Sequence, residues 1–294
     1  MPRATLIIPT LERPELLLEV LGTLDRQSAQ DFETVIIDQS DAPNEQARRL
    51  CEGSKRPMRY VHETRKSLPN ARNIGAKLAS SDILIYIDDD VTLDERFIEA
   101  HLAPFADSTI AVVAGRITGA YDDGPPGAAP VGAFNPWLVK VTRNFHTTTP
   151  FDSVEQLPGG NFSVRRELYH KLGGFDPDTF GGPASIGEET DFALRLRKSG
   201  HRIVFAPAAH LVHLRAPRGG CRDDSRVRWT YWHGHNMGAL SRRHCSWYTW
   251  LPFLWLQCLR YLVHAVRGAN PFIWPAGCFG TLVGFWHSTR VRTL

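Results

Sequence analysis

Three short apolar runs, each stopped abruptly, constrain this chain more than anything else in it. Ala4-Thr5-Leu6-Ile7-Ile8 ends at Pro9, Thr34-Val35-Ile36-Ile37 ends at Asp38, and Ile83-Leu84-Ile85-Tyr86-Ile87 runs into Asp88-Asp89-Asp90. Runs of this length, β-branched and without polar alternation, read as strands covered on both faces. Helical periods lie between them. Pro14 opens a helix carrying Leu16, Leu17, Val20, Leu21 and Leu24 on one face. Pro69 precedes a short helix over 70–78, and a helix over about 94–105 leads into a strand over 110–114. This β-α-β alternation over 4–115 predicts a parallel sheet with helices on both faces. Ligands of such sheets bind beyond the carboxyl ends of the strands, where Pro9-Thr10, Asp38 and Asp88 to Asp90 all fall.

The second half is less regular. Residues 119–160 are rich in Gly and Pro and too long for an ordinary connection, so a functional loop or lid is expected there. Together with the turn from Gly181 to Gly187 it is expected to set which ligand is chosen. A helix reaches Leu172 and stops at Gly173-Gly174, another covers 188–198, and Arg202-Ile203-Val204-Phe205 is a further strand. Beyond 228 the chain is helical in character, with apolar blocks at 251–266 and 272–287. Each falls short of the roughly 20 residues a spanning helix needs, so interfacial or re-entrant helices are expected.

Charge is distributed unevenly. Residues 201–294 hold twelve Arg, no Lys and two acids, Asp223 and Asp224, so a formal net charge of +3 hides +10 there and −7 in the first 200 residues. Seven of the eight Trp also lie beyond residue 228. A basic, Trp-rich tail suits anionic lipid head groups. Nucleic acid would suit the charge alone, and a Trp-rich helical core is the plain alternative, but the long aromatic blocks favour a membrane surface over nucleic acid. The five cysteines form no Cys-x-x-Cys pair and nothing before Pro9 reads as a signal peptide, so reduced thiols in a cytosolic protein are expected.

Three consecutive acids after an apolar strand raise one another's pKa, and a divalent cation is the usual relief. Hard oxygen ligands point to magnesium or manganese sharing its shell with substrate phosphates. Alone, the run equally fits a solvated strand-to-loop junction whose acids cap the next helix. The other strand ends favour function.

In order and spacing, Ile7-Ile8-Pro9-Thr10, Arg13-Pro14, Val35-Ile36-Ile37-Asp38, Ala71-Arg72-Asn73-Ile74-Gly75 and Ile87-Asp88-Asp89-Asp90 resemble family 2 glycosyltransferases. Gly159-Gly160-Asn161-Phe162-Ser163, Gly173-Gly174-Phe175-Asp176 and Gly187-Glu188-Glu189-Thr190-Asp191-Phe192 extend the resemblance over about residues 4–215. It implies an α/β chain of GT-A fold, a Rossmann-like mixed sheet with helices on both faces. A catalytic domain would cover 1–228, with a nucleotide-binding half to 115 and an acceptor half from 116, ahead of an aromatic, Arg-rich, membrane-associating helical region over 229–294. It also implies inverting transfer from a UDP- or dTDP-sugar to a glycan or lipid-linked acceptor.

By position, the resemblance puts Pro9, Thr10 and Arg13 along the nucleotide, Asp38 on the N3–H of a uracil or thymine, and Arg72 on base or diphosphate with Asn73 nearby. Asp88 would face the ribose and Asp90 the cation and diphosphate; Asp89, grouped with the nucleotide, has no assigned contact. Glu189 stands where the family has the aspartate base, one methylene longer, with Asp191 as reserve. Either acid could instead simply favour a helix N-terminus. His213 would complete the metal site, with His210 competing. Trp137, Phe134 and Asn161 could line an acceptor pocket, although loop packing accounts equally for the two aromatics. The tail from Tyr231 resembles bacterial rhamnosyltransferase-like members that build surface polysaccharide. Arg242, Arg243, Arg260, Arg267, Arg290 and Arg292 would anchor it on the inner face of the cell membrane. The rival readings are a non-catalytic nucleotide-sugar or glycan-binding module, invited by Glu189, and a nucleotidyltransferase, disfavoured by the glycine-free turn Leu11-Glu12-Arg13-Pro14.

Overall fold

The structure, a computed structural model, describes residues 2–119, 130–182, 186–221 and 225–288. Asp223, Asp224, Arg290, Arg292 and part of the loop at 119–160 lie outside the described residues, as does the middle of the Gly181–Gly187 turn. The strands are β1 (Ala4–Thr10), β2 (Phe32–Asp38), β3 (Met58–His62), β4 (Ile83–Ile87), β5 (Val91–Leu93), β6 (Ile110–Thr118), β7 (Phe134–Asn135), β8 (Lys140–Val141), β9 (Asn161–Arg165) and β10 (Arg202–His213). The helices are α1 (Pro14–Thr23), α2 (Glu45–Gly53), α3 (Leu68–Leu78), α4 (Phe97–Leu102), α5 (Arg166–Lys171), α6 (Pro177–Phe180), α7 (Glu188–Lys198), α8 (Arg226–His244), α9 (Trp247–Arg267) and α10 (Ile273–His287).

Eight strands form one sheet in the order β3-β2-β1-β4-β9-β6-β10-β5. β1 pairs in parallel with β2 and β4, and β2 with β3. β9 enters antiparallel between β4 and β6, and β5 closes the far edge antiparallel to β10. The sheet is therefore mixed, not wholly parallel as the β-α-β alternation over 4–115 alone predicts. The return of the chain from 160 back into the centre is what that local pattern cannot display.

Strand alternation assigns the two faces. Leu84 and Tyr86 pack with Phe162, Val164, Phe192 and Leu196, while Ile83, Ile85 and Ile87 pack with Leu17, Val20, Phe97 and Ile98. Helices thus cover both sides of the parallel half, as expected. The central strand β9 places Asn161 and Ser163 beneath α4, where the buried His101 bonds both, through Nε2 to Asn161 Oδ1 (2.7 Å) and Nδ1 to Ser163 Oγ (2.9 Å). Satisfying every polar atom is what lets these residues occupy a core strand. β10 extends to His213, well past the expected Phe205, because a register shift between Ala206 and His210 absorbs Pro207 and lets pairing resume.

The last three helices pack through glycine. A Cβ on Gly234 would lie 2.4 Å from the Gly277 oxygen, one on Gly238 2.1 Å from the Thr281 oxygen, and one on Gly284 1.9 Å from the His235 oxygen. Only bare backbone allows α8 and α10 to approach this closely. Among the described residues no helix is long and apolar enough to cross a membrane, which agrees with the expectation from block length. All five cysteines are free thiols.

Candidate active site

β1 and β4 lie side by side and run out of the sheet at the same edge, with Ile7 opposite Tyr86. Three residues on, Thr10 donates from Oγ1 to Asp89 Oδ2 (2.7 Å). Arg13, the residue before α1, donates from Nη1 to Asp89 Oδ1 (2.7 Å) and lies 3.3 Å from Asp90 Oδ2. Asp89 thus faces inward and locks the two strand ends together. Burial lifts its carboxyl to about 6, although Arg13 and Thr10 favour the charge. Pro9, Thr10, Leu11, Gln39, Asp88 and His213 are among the residues lining a cleft of about 230 Å³ here. The segment 214–221 walls one side. Ala216 N–H donates to Asp90 Oδ2 (2.9 Å), Gly220 N–H to Leu11 O (2.8 Å), and Arg13 Nε to Arg218 O (3.0 Å).

Asp88, Asp90 and His213 converge, one ligand atom of each lying within 4.8 Å of the others. Antiparallel pairing of His213 with Val91 brings the end of β10 to the acidic run. Nε2 of His213 is 3.6 Å from Asp88 Oδ2 and 3.5 Å from Asp90 Oδ1. Asp90 Oδ1 is buried with no hydrogen-bond partner. A buried, unpaired carboxylate oxygen aimed at an imidazole is costly in an empty protein and well placed for a cation. These residues fit a divalent metal: two carboxylates and one imidazole, with room for substrate oxygens. Burial opposes the Asp88 charge, but His213 and Arg72 outweigh it and hold the carboxyl below its ordinary range. His210 does not compete, because its ring bonds Asp94 Oδ2 and Thr118 Oγ1, both at 2.9 Å.

Arg72, fully buried on α3, joins this cluster to the start of α7. Nη1 donates to Glu189 Oε1 (2.8 Å), Nη2 to Gly159 O (2.6 Å), and Nη2 lies 3.7 Å from Asp88 Oδ1. The two glycines before β9 make the approach possible. A Cβ at Gly159 would sit 2.3 Å from Glu189 Oε1, and one at Gly160 2.4 Å from Asp88 Oδ2. Glu189 opens onto a second cavity of about 590 Å³ between the 139–145 segment and α8. Its neighbour Glu188 is fully buried, with both oxygens lacking a hydrogen-bond partner and Oε1 3.6 Å from Arg72 Nη1. Burial, reinforced by Glu189, drives the Glu188 carboxyl well above its ordinary value.

Other expected site residues are placed elsewhere. Asp38 is buried outside the cleft, its oxygens accepting from Ser40 N–H (2.9 Å), Asn44 N–H (3.2 Å) and Tyr60 O–H (2.5 Å). Gln39, one residue on, faces the cleft instead. Asn73 ties α3 to Phe175, donating to its oxygen (2.9 Å) and accepting from its N–H (3.0 Å) and from Tyr169 O–H (2.5 Å). Its amide is thereby taken up inside the fold. Asn161 is likewise no acceptor contact: Nδ2 donates to Arg116 O (2.8 Å) and Ala209 O (2.9 Å), and Oδ1 meets His101. Trp137 stands half exposed against Tyr248, with ring centroids 5.8 Å apart, and lines neither cavity. Phe134 packs beside Phe180 and Met237.

Asp191 is fully buried, bonding Arg195 Nε (2.9 Å) and His244 Nε2 (2.8 Å), with Arg243 Nη1 3.5 Å away. Burial opposes its charge, yet His244 and the two arginines hold its carboxyl far below the usual range. A base so poor and so enclosed cannot reach an acceptor, so Asp191 fastens α7 to α8. Arg243 is occupied in the same cluster, with Asp176 at 2.8 Å, and Arg242 stacks 4.5 Å over Trp250, so neither is a free membrane anchor.

The model of the family described as Glycosyl transferase family 2 matches residues 5–173. The chain is 27% identical over 154 residues to the pre-mycofactocin glycosyltransferase of Mycobacterium tuberculosis, covering 52% of this chain and 31% of that one. It is 29% identical over 226 residues to the validoxylamine A glucosyltransferase of Streptomyces hygroscopicus, covering 68% and 52%. It therefore spans from under a third to about half of the length of these relatives. In fold it is similar to the mannosyltransferase PcManGT of Pyrobaculum calidifontis, solved with GDP-Man and Mn2+ (TM-score 0.59, 20% identity, 98% of this chain and 76% of that one). It is also similar to GalNAc-T7, solved with UDP, GalNAc and Mn2+ (TM-score 0.62, 17% identity, 92% and 58%). The curled mixed sheet is that of the GT-A fold.

Proposed function

The chain belongs to glycosyl transferase family 2, and from that premise we propose an inverting transfer of a sugar from a UDP- or dTDP-sugar to a hydroxyl of a glycan or lipid-linked acceptor. One observation carries this reading: Arg72 joins a metal-competent acidic cluster in one cavity to a carboxylate that opens into the next. Donor and acceptor would meet at that junction.

Pro9, Thr10, Arg13 and Gln39 would border the nucleotide, and Asp88, Asp90 and His213 would hold a divalent cation, manganese or magnesium. When bound, it offsets the charge that develops on the departing diphosphate. Glu189 takes the proton of the acceptor hydroxyl as that oxygen bonds to the anomeric carbon from the face opposite the diphosphate. The bond from that carbon to the diphosphate oxygen breaks, and its electron pair leaves with the nucleotide. Arg72 is a positioning residue that sets the spacing between carboxylate and cluster. The Mn2+ in both solved neighbours supports the metal assignment, and their nucleotides, UDP in GalNAc-T7 and GDP-Man in PcManGT, support a nucleotide-sugar donor. Glu189 aimed into a cavity favours turnover over a module that only binds.

Pyrimidine preference requires Asp38 to exchange one of its protein donors for an imide N–H. Thermal shifts with UDP, dTDP, GDP and CDP, each with and without manganese, test it. Stabilisation by UDP or dTDP that needs the metal is expected; a response to GDP alone would remove the role given to Asp38. Formation of a retained anomer from a defined donor, read by NMR, would refute inversion. The Arg-rich, acid-free helices and the exposed tryptophans support peripheral attachment at the inner membrane face and a place in surface polysaccharide synthesis.

A further inference from the structure

Arg72 fixes Glu189 at its carboxylate. The backbone that carries Glu189 is held from another direction, by α8. Trp232, Asn236, Leu240 and His244 recur every fourth residue on that helix and so share one face. Each meets the segment that leads into and opens α7. A Cβ on Gly182 would lie 2.5 Å from Trp232 Cε3, so the indole packs on bare backbone. Asn236 Nδ2 donates to Ile186 O (2.8 Å). Leu240 packs on Gly187, where a Cβ would lie 3.1 Å from its Cδ1. His244 bonds Asp191, and Arg243 beside it reaches Asp176 Oδ2 (2.8 Å) and Thr179 Oγ1 (2.6 Å) at α6. The two runs keep step, with 182, 186, 187 and 191 meeting 232, 236, 240 and 244 in order.

Gly187 is the critical point of this contact, since α7 starts from it. Its φ of 100° costs glycine little and other residues much. Its carbonyl accepts from Asp191 N–H (2.8 Å), closing the turn that holds Glu188 and Glu189. A shift of Ile186 O therefore reorients the first turn of α7 and carries the Glu189 carboxylate away from Arg72 and the cavity. Asn236 is the side chain placed to prevent this. It is fully buried, and its Oδ1 lies 3.0 Å from His235 Nδ1, which orients the amide toward Ile186. The far side of α8 is constrained as well. Gly234 and Gly238, about 200° round the helix from Trp232 and Asn236, seat it on α10. Arg243 Nε donates to Ser288 Oγ (2.6 Å), just past the end of α10. α8 thus stands between the last helix and the turn that bears the carboxylate.

We infer that Asn236 is a positioning residue for sugar transfer, holding Ile186 and Gly187 so that the Glu189 carboxylate meets the acceptor hydroxyl, and that α8 belongs to the catalytic unit. The inference rests on the glycosyl transfer proposed above. Asn236 lines neither cavity, so it acts through the backbone of α7 and not on substrate.

Asn236→Leu in the full chain keeps the side-chain volume and removes the donor. Nucleotide release with manganese gives the rate, from whichever of UDP-glucose, UDP-N-acetylglucosamine and dTDP-glucose is cleaved fastest, water standing in for the acceptor hydroxyl. The variant should lose about 10²-fold in kcat, the cost of an ångström-scale misplacement, with its affinity for UDP and manganese unchanged. In a Glu189→Gln background the same substitution should cost less than about twofold, because the group it positions is already disabled. Hydrogen exchange at 187–191 should quicken in Asn236→Leu while 84–87 stays protected. Asn236→Ala serves the same comparisons if the leucine variant does not fold. An unchanged kcat, a loss that multiplies in full on Glu189→Gln, UDP binding that weakens in step with the rate, or unaltered exchange at 187–191 would each overturn the inference. Stabilisation by UDP with manganese is measured on the same samples. Its absence from the unsubstituted protein would sink the donor site and the transfer with it, whereas its presence beside unaltered exchange would sink the role of Asn236 alone.

Discussion

Glu189 Oε1 accepts a hydrogen bond from Arg72 Nη1 at 2.8 Å, and the space for that contact exists only because residue 159 is glycine. The carboxylate is held at one end while its other oxygen remains available to the cavity. Glu189→Gln keeps the shape and loses the basicity. It should lower kcat by about 10²- to 10⁴-fold while leaving nucleotide and manganese binding intact. Steady-state rates beside a nucleotide titration check this, and near-normal turnover would remove Glu189 as the base.

Gly159→Ala probes the same contact from the other side. A Cβ 2.3 Å from Glu189 Oε1 must displace the carboxylate or strain the loop. An activity loss of about 10²-fold is expected from a misplacement on the scale of an ångström, with the fold kept. Unchanged kcat together with unchanged stability would show that the carboxylate position is not critical.

Glu188 gives a prediction with a defined sign. Burial raises its carboxyl in the folded state. Below the unfolded value both states carry the proton; above it the unfolded chain ionises and the folded chain does not, so stability falls as pH rises. Glu188→Gln, which mimics the protonated form, should flatten that decline between about pH 5 and pH 8. Urea unfolding across this window is the measurement, and parallel curves for the two proteins would refute it.

Much of the donor cleft was readable from strand ends, because a β-branched run that stops at a polar residue marks both the strand and its exit. Pro9, Thr10, Arg13, Asp88 and Asp90 reach the cleft for that reason. The side of the sheet edge to which each terminal side chain turns was not readable. Asp38 and Asn161 sit at such ends and turn into the fold, where Tyr60 and His101 satisfy them. Those partners are distant in sequence, and the strand carrying Tyr60 is too polar and half-buried to signal itself. Asp191 misleads similarly: a carboxylate in a first helical turn looks like a base or a cap until His244, 53 residues on, is seen against it. Gln39 and Ala216 carry no pattern that could have marked them.

The acidic cluster predicts a division of labour under metal. Asp90 offers a buried oxygen with no hydrogen-bond partner, whereas Asp89 is engaged by Thr10 and Arg13. Manganese at about 100 times its Kd should stabilise the protein by about 2.7 kcal/mol, and EDTA should reverse this. Asp90→Asn should abolish the response. Asp89→Asn should keep it while lowering the metal-free Tm, since Arg13 loses its partner. Differential scanning of the three proteins decides, and a full manganese response in Asp90→Asn would exclude the site.

His101 should govern stability in acid. Burial pushes its ring down to about 4, while Asn161 only partly restores it. Above the unfolded value, near 6.5, both states are neutral and the ring contributes no pH dependence. Between about 6.5 and 4 the unfolded chain binds a proton that the folded chain refuses, so stability is lost as pH falls, by up to about 3 kcal/mol. The buried His233, also lowered to about 4, acts in the same direction. Replacing His101 with Gln keeps a donor for Asn161 and removes one titration, so the slope should fall by about one proton. Unfolding free energies measured at intervals from about pH 7 to pH 4 test this. An unchanged slope in His101→Gln would mean that the ring already carries its proton in the folded core.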